Sequence, residues 1–590
     1  MFGRLYYNQP LSDSITSSHR KVVCRDLRTG DLIWERNGTS INMGTIYEYW
    51  SPNQHGTHPY LWTYDNIAID PFTGYNLFKI NNVPSGTTVS SVGPNGEWLI
   101  YVFGGALTPS TLFYRPTLNV SWVACWNFSA IPSMLLGPTG TSAWQWRPVG
   151  KTHDGKQGYS WNITLPEGLR ATTFNIAVLE DRIIAGEGWQ QFGFAQPTGK
   201  FRLWAVSLKK GTMGTKLWDI WIKPPVPNAT LQFNGASMCS LKDGVFVVRS
   251  KETRQWIGFD INNGKQLWIT EPQNQWMMYS SGCTISDGVL YSYGYGGTIY
   301  AYDVKNGKLL WTAATDPCGL EGPYDRWPVG SIYLIDGKIY ATTSEHSATH
   351  PLYRGWKLYV FDAKNGAPIW NITGFWQGLA FADGYMVGLD GMDLLMYCFG
   401  KGPTATTVTA SPKTCTNGAG VVIEGTVMDI SPGTKSTALT ARFPNGVPAV
   451  ADECMTPWME HLYKQYALPM DVKGVSVTLD AVGPDGKWIH IGDTTTDSTG
   501  YFSLVWTPPS EGLWTIVATF PGSKSYWPSY AETKVGVMAA PVPSATTEQA
   551  ETLQNAIENM QTVQTIIIVL VAIAIIIGVY SIYDHRKLRK

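Results

Sequence analysis

Apolar residues run along most of this chain in short clusters, and turn residues close each cluster. VFVV (245–248), YAY (300–302) and LLW (309–311) are apolar on both faces, the mark of strands sandwiched between neighbours. Two turn signals alternate between them. One is an apolar or polar residue, then Asp-Gly, then an apolar strand: KDGVFVV (242–248), SDGVLYS (286–292), IDGKIYA (335–341) and ADGYMVG (382–388), with Asn95-Gly96 an earlier copy. That pairing is the strongest short hairpin signal. The other is a nine-residue phrase, written DLRTGDLIW from Asp26, DPFTGYNLF from Asp70, DINNGKQLW from Asp260, DVKNGKLLW from Asp303 and DAKNGAPIW from Asp362.

Aligned on the leading Asp, the phrase fixes a register. Gly30, Gly264, Gly307 and Gly366 stand four residues later, and Trp34, Trp268, Trp311 and Trp370 four later again. Asp side chains accept hydrogen bonds within a turn, and Gly supplies the left-handed residue. Trp218 fits with three extra residues, the degenerate copy at Asn127 is expected to close near Trp146, and the last copy aligns at Gly400. The residue two before the Asp is small throughout: Cys24, Ala68, Cys125, Ala205, Gly258, Ala301, Val360, Cys398. Close approach of another sheet is the expected reason.

Each unit thus reads strand, Asp-Gly turn, strand, longer loop, strand, D-x-x-x-G turn, strand. Four-stranded units repeating every 40 to 50 residues or so predict propeller blades. The D-x-x-T/N-G-x-x-x-W ending resembles the pyrroloquinoline-quinone (PQQ) type propeller repeat over residues 1–402. That resemblance implies that the Gly and the terminal Trp dock adjacent blades. The expected fold is all-β: an eight-bladed (alternatively seven-bladed) β-propeller, an immunoglobulin-like β-sandwich, and one C-terminal transmembrane helix. Phe2-Gly3 occupies an Asp-Gly position, so an upstream segment with the missing strands and an export signal is expected.

From residue 403 the repeat stops. Alternating strands such as VSVTLDAV and the hairpin 494–522 predict a sandwich over 403–538, resembling an immunoglobulin-like stalk. A partly helical insertion over 443–470 interrupts it. Residues 539–564 read as linker and stalk helix, and 584–590 as a basic tail. Residues 565–583 carry no charge over nineteen positions, and a helix of that length spans about 28 Å, close to the bilayer core. Arg586, Lys587, Arg589 and Lys590 follow, so the positive-inside rule places the tail in the cytoplasm and the rest outside the cell membrane. The combination resembles archaeal surface proteins, a group that brings no established activity.

Net charge is −1 and basic runs are absent before the tail, which excludes a nucleic-acid footprint. The connections opposite the tight turns are expected to be long, at 35–62, 147–170, 312–332 and 342–356 among others, and to carry any binding site. Their aromatics include Trp50, Tyr60, Trp62, Trp161, Trp276, Tyr324 and Trp327. These form either a stacking platform for glycans or peptides, or a roof over the ring. Two charged loops stand out: Tyr324, Asp325, Arg326 and Trp327 in one, Glu345, His346, His350 and Arg354 in the other. Glu345 is expected to pair with Arg354, and no metal site is assigned. PQQ-dependent dehydrogenases carry an adjacent Cys pair, whereas the eight cysteines here are all separated. The expected function is non-catalytic and free of cofactors: a surface binding or scaffold protein whose partners are the membrane and other surface proteins or glycans. A PQQ-type dehydrogenase, a purely structural envelope component and a periplasmic-type assembly scaffold are the alternatives.

Overall fold

The computed structural model describes residues 1–10, 20–51, 54–108, 117–131, 150–172, 175–187, 201–277, 282–322, 324–344, 354–540 and 546–588. The chain divides into two compact units. The first comprises Met1–Gly402, Ile430–Asn445 and Ala451–Val472; the second comprises Pro403–Asp429, Gly446–Val450 and Lys473–Lys590.

Among the described residues the first unit contains eight successive sheets of three to five strands, with a two-stranded hairpin between the sixth and seventh. The sixth shows the plan: Gly282–Ser286, Val289–Tyr293, Thr298–Asp303 and Leu309–Ala314 pair antiparallel in chain order. Asp287-Gly288, Asp336-Gly337 and Asp383-Gly384 all take positive φ at both residues, the type I′ hairpin geometry. Phe2 (φ 52°) and Gly3 (φ 66°) adopt the same pair. The second turn type lies on the same rim. Ile261, Val304, Ala363 and Leu27, each following the Asp of a phrase, donate to Gly244, Gly288, Gly337 and Gly3.

Within a phrase the Asp closes its own loop. The Gly307 amide donates to the Asp303 carbonyl at 2.8 Å, and the Lys305 amide to Asp303 Oδ1 at 2.8 Å. Asp26, Asp260 and Asp362 do the same for Gly30, Gly264 and Gly366. The terminal aromatic then reaches the following sheet. Trp34 Nε1 donates to the Pro71 carbonyl, Trp218 Nε1 to Ile261 and Trp268 Nε1 to Val304, at 2.9–3.1 Å. A Cβ at Gly307 would lie 2.6 Å from the Trp268 ring, and one at Gly366 2.6 Å from Trp311. The glycine therefore serves twice, as the left-handed residue and as the seat of the neighbour's indole.

Three expectations are corrected. The small position is small because of its own hairpin: Gly258 stands opposite Trp268, Ala301 opposite Trp311 and Cys24 opposite Trp34. A Cβ at Gly258 would meet the Trp268 indole at 2.1 Å. The degenerate copy closes at Trp161, opposite Cys125, because residues 128–158 intervene before the outer strand Tyr159–Thr164. Residues 35–62 are no loop either, since Ile41–Ser51 pairs with Gln54–Thr63 as a long hairpin.

Residues 430–445 and 451–472 belong to the first unit through the helix Met455–Lys464, here the docking helix. It covers the free edge of the seventh sheet's outer strand, Pro368–Thr373. Glu460 Oε1 accepts from the Thr373 amide (3.0 Å) and hydroxyl (2.7 Å), and Thr456 Oγ1 donates to the Asn371 carbonyl (2.9 Å). Helix side chains thus satisfy backbone groups that would otherwise invite another strand.

The second unit holds two sheets. Thr404–Ser411, Val421–Asp429, Val447–Pro448 and Tyr501–Trp506 form one; Thr414–Thr416, Ser529–Met538, Gly512–Phe520, Ser476–Val482 and Trp488–Thr495 form the other. Phe502, Trp514, Ile516, Ala518 and Phe520 are buried between period-two neighbours. A 41-residue helix, Thr547–Lys587, follows, started by a Thr546/Gln549 capping box. It is the one helix among the described residues long and apolar enough to cross a membrane.

Candidate functional site

On the rim opposite the tight turns, the connection from the sixth to the seventh sheet builds its own small structure. Pro317–Gly319 pairs with Asp325–Arg326 as a two-stranded hairpin. Asp325, at φ 58°, accepts from the Gly319 amide through Oδ1 at 2.7 Å. Arg326 Nη1 donates to the Thr315 carbonyl at 2.6 Å, and Thr315 Oγ1 to the Trp327 carbonyl at 2.8 Å. Leu320 at the tip is 106% exposed. The hairpin is thus fixed at its base by polar contacts and presents an apolar tip.

Two ion pairs brace it. Lys357 Nζ and the Tyr359 hydroxyl both donate to Asp316 Oδ2 at 2.9 Å. Burial works against the Asp316 charge, yet these two donors and the Lys357 charge hold its carboxyl below the usual range. Burial is also the main reason the Tyr359 hydroxyl is pushed up. Arg354 pairs with Glu321, which joins the seventh sheet's loop to the hairpin.

The candidate residues divide accordingly. Tyr324, Asp325, Arg326, Trp327 and Arg354 come together around the hairpin. Trp276 is half exposed in the loop between the fifth and sixth sheets. Trp62 is withdrawn as a binding residue: it is 0% exposed, with Nε1 donating to Thr45 Oγ1 at 2.9 Å inside an aromatic core with Phe78, Trp98 and Phe128. Tyr60 is buried beside it, and Trp161 packs on Tyr101 as a repeat aromatic. Glu345, His346, His350, Trp146 and the side chain of Trp50 lie outside the described residues. Leu320 and Glu321 were missed, although a Gly-Leu-Glu-Gly run between two strands is a turn signal with an apolar tip.

Among the described residues no three His, Cys, Asp or Glu side chains gather as a metal site. All eight cysteines are free thiols, with Cys24 and Cys125 buried opposite their repeat aromatics.

Successive antiparallel sheets, rim turns and indoles seated on glycines recur along the first unit. Residues 193–374 match the PQQ_2 family model, described as Outer membrane protein assembly factor BamB. No curated protein matches the chain. Among solved structures, BamB from Moraxella catarrhalis is 12% identical, with 71% of this chain and 100% of that one covered at a TM-score of 0.28. The C-terminal WD40 domain of Sif2 is 11% identical (66% and 95% covered, TM-score 0.32), as is the computationally designed Ika8 protein (67% and 96% covered, TM-score 0.30).

Proposed function

We propose that the protein is a non-catalytic binding or scaffold protein, held at the cell membrane by the helix Thr547–Lys587. In this reading the eight sheets are the blades of one ring, and the second unit is an immunoglobulin-like sandwich serving as a stalk. Propeller and stalk face outward, and His585, Arg586 and Lys587 in the last helical turn mark the cytoplasmic end. The observation that carries the reading is the asymmetry of the two rims. The tight turns spend their polar groups on themselves and on the next sheet, whereas the opposite rim carries a braced hairpin with an exposed apolar tip. A rigid base with an exposed apolar and aromatic end is the form of a recognition loop. Ligands of that form are surface proteins or glycans.

The full chain in detergent, tested on a glycan array and by cross-linking to its native membrane, checks this reading. The combined Leu320→Asp and Trp276→Ala variant is expected to lose a specific ligand while its unfolding midpoint holds. Ligand capture indifferent to both substitutions would remove the hairpin from the reading. The match of 193–374 to the BamB model favours a second reading, a scaffold in envelope protein assembly. Co-isolation with membrane-protein insertion machinery, in place of a surface ligand, would favour it.

A further inference from the structure

The helix Thr547–Lys587 carries an apolar seam that starts before the membrane span and runs into it. Ala550, Leu553, Ile557, Met560, Gln564 and Ile567 follow one another at alternating steps of three and four residues, the a and d positions of a heptad. The same steps continue through Val571, Ala574, Gly578 and Ser581, and the helix is unbroken across all of them. None of its residues is buried against the described chain. Lipid covers only the later part of the seam. Leu553 and Ile557 lie twelve and eight residues before Thr565, where the uncharged span begins, or about 18 and 12 Å along the axis. The headgroup layer on each side is about 5–7 Å deep, so both side chains stand beyond it. Both are exposed.

The charge pattern suits a second copy of the same helix. Copies of a single-pass chain enter the membrane in one orientation, so this face meets its own counterpart in parallel. Glu548, Glu551 and Glu558 fall at the outward f and b positions, whereas the flanking e and g positions hold Gln549, Gln554, Ala556, Gln561 and Val563. Two parallel copies therefore bring no like charges together beside the seam. Ile557 at a with Leu553 at d is the two-stranded combination. Thr562 and Thr565, off the seam, donate their hydroxyls to the Glu558 and Gln561 carbonyls at 2.9 Å. Gln564, on the seam, has an amide that both donates and accepts, and so matches its own copy. Ala574 and Gly578, four residues apart, let two backbones approach closely in lipid, where packing drives association.

We propose that Thr547–Lys587 is a homodimerisation element, in which two copies of the chain pair in parallel along this seam, Ile557 against Ile557 and Gln564 against Gln564, with Gly578 at the close approach. The pairing rests on the membrane reading given above. It would present two recognition hairpins on one anchor, and a bivalent ligand would then bind by avidity.

Full chains carrying a donor or an acceptor fluorophore at the C-terminus, mixed in phosphatidylcholine vesicles, give the test. Energy transfer is expected to rise and saturate as the protein-to-lipid ratio increases. Ile557→Asp sets two carboxylates against each other on the seam and is expected to weaken association at least about tenfold. Gly578→Ile holds the backbones apart and is expected to weaken it roughly severalfold. Asn555→Asp, at an outward position, is expected to leave it unchanged. A photoactivatable diazirine residue at position 557 should cross-link to a species of twice the chain mass, and one at 555 should not. None of these positions is buried, so the unfolding midpoint is expected to hold in every variant. Flotation of the vesicles separates the two readings. A chain that does not float overturns the anchor and the pairing together. A chain that floats but stays monomeric at every ratio overturns the pairing alone. Equal loss from Asn555→Asp and Ile557→Asp, or a cross-link from 557 in the native membrane to a different protein in place of a second copy, would also overturn it.

Discussion

The turns 303–308 and 390–395 are the same turn in two settings. Asp303 donates its amide to Lys308, accepts from Gly307, and takes the Lys305 amide on Oδ1; Asn306 Oδ1 takes Lys308. Asp390 does likewise with Leu395, Leu394 and Met392, and Asp393 Oδ1 takes Leu395. Yet the left-handed residue is Gly307 (φ 72°) in one and Leu394 (φ 60°) in the other. The first lies on the tight rim and receives the Trp268 ring. The second lies at the opposite end of its sheet, where Leu394 is 69% exposed. The acidic and amide side chains thus make the turn, and the glycine is required by the neighbour. What holds the second turn is charge. Lys464 Nζ of the docking helix contacts Asp390 Oδ2 at 2.5 Å and Asp393 Oδ2 at 3.0 Å, over the Tyr397 ring at 3.7 Å.

Substitutions can break this comparison at several points. Trp268→Ala removes an indole seated on Gly307 and should destabilise the first unit by about 3–5 kcal/mol, read as a lower denaturant midpoint. Lys464→Ala leaves Asp390, 1% exposed, without that cation and should lose about 3 kcal/mol. Gly307→Ala combines a left-handed Cβ with a 2.6 Å clash and should lose about 2 kcal/mol. Leu394→Gly should do the reverse and stabilise by about 0.5 kcal/mol, because relief of the left-handed strain slightly exceeds the entropy that glycine adds to the unfolded chain. If Leu394→Gly and Gly307→Ala shifted the midpoint in the same direction, the division of labour between turn and seat would fall.

A pH titration sharpens the same contrast. Burial opposes the Asp393 charge, but hydrogen bonds from Tyr397, the Leu395 amide and Lys464 outweigh it and lower its pKa. A carboxyl lowered in the folded state contributes stability above its unfolded value, about 4, and loses it as pH falls through the folded value. Asp393→Asn should therefore flatten the stability loss below about pH 4, measured by denaturation at stepped pH.

The repeat was legible because one local phrase carries both its turn chemistry and its packing partner. Asp303, Gly307 and Trp311 announce a hairpin whatever surrounds them. Long-range substitutions were not legible in this way. Trp161 replaces the expected Trp146 because a long excursion separates it from Cys125, and register across that distance leaves no local mark. Trp62 read as a surface aromatic because the hairpin Ile41–Thr63 has no Asp-Gly or D-x-x-x-G phrase to reveal it. The recognition hairpin was legible as a charged loop at 322–328, but Arg354 finds Glu321, and the tip Leu320 carries no sequence motif.

The docking helix also sets a condition on synthesis. The chain passes from the first unit to the second at residue 402 and does not complete the first until Val472. A ribosome adding about 5–20 residues per second needs roughly 4–14 s for those roughly 70 residues. During that interval the Asn371 carbonyl and Thr373 amide wait for Thr456 and Glu460. The repeat region is thus written early but finished late, and a nascent-chain chaperone has its window at the seventh sheet's edge.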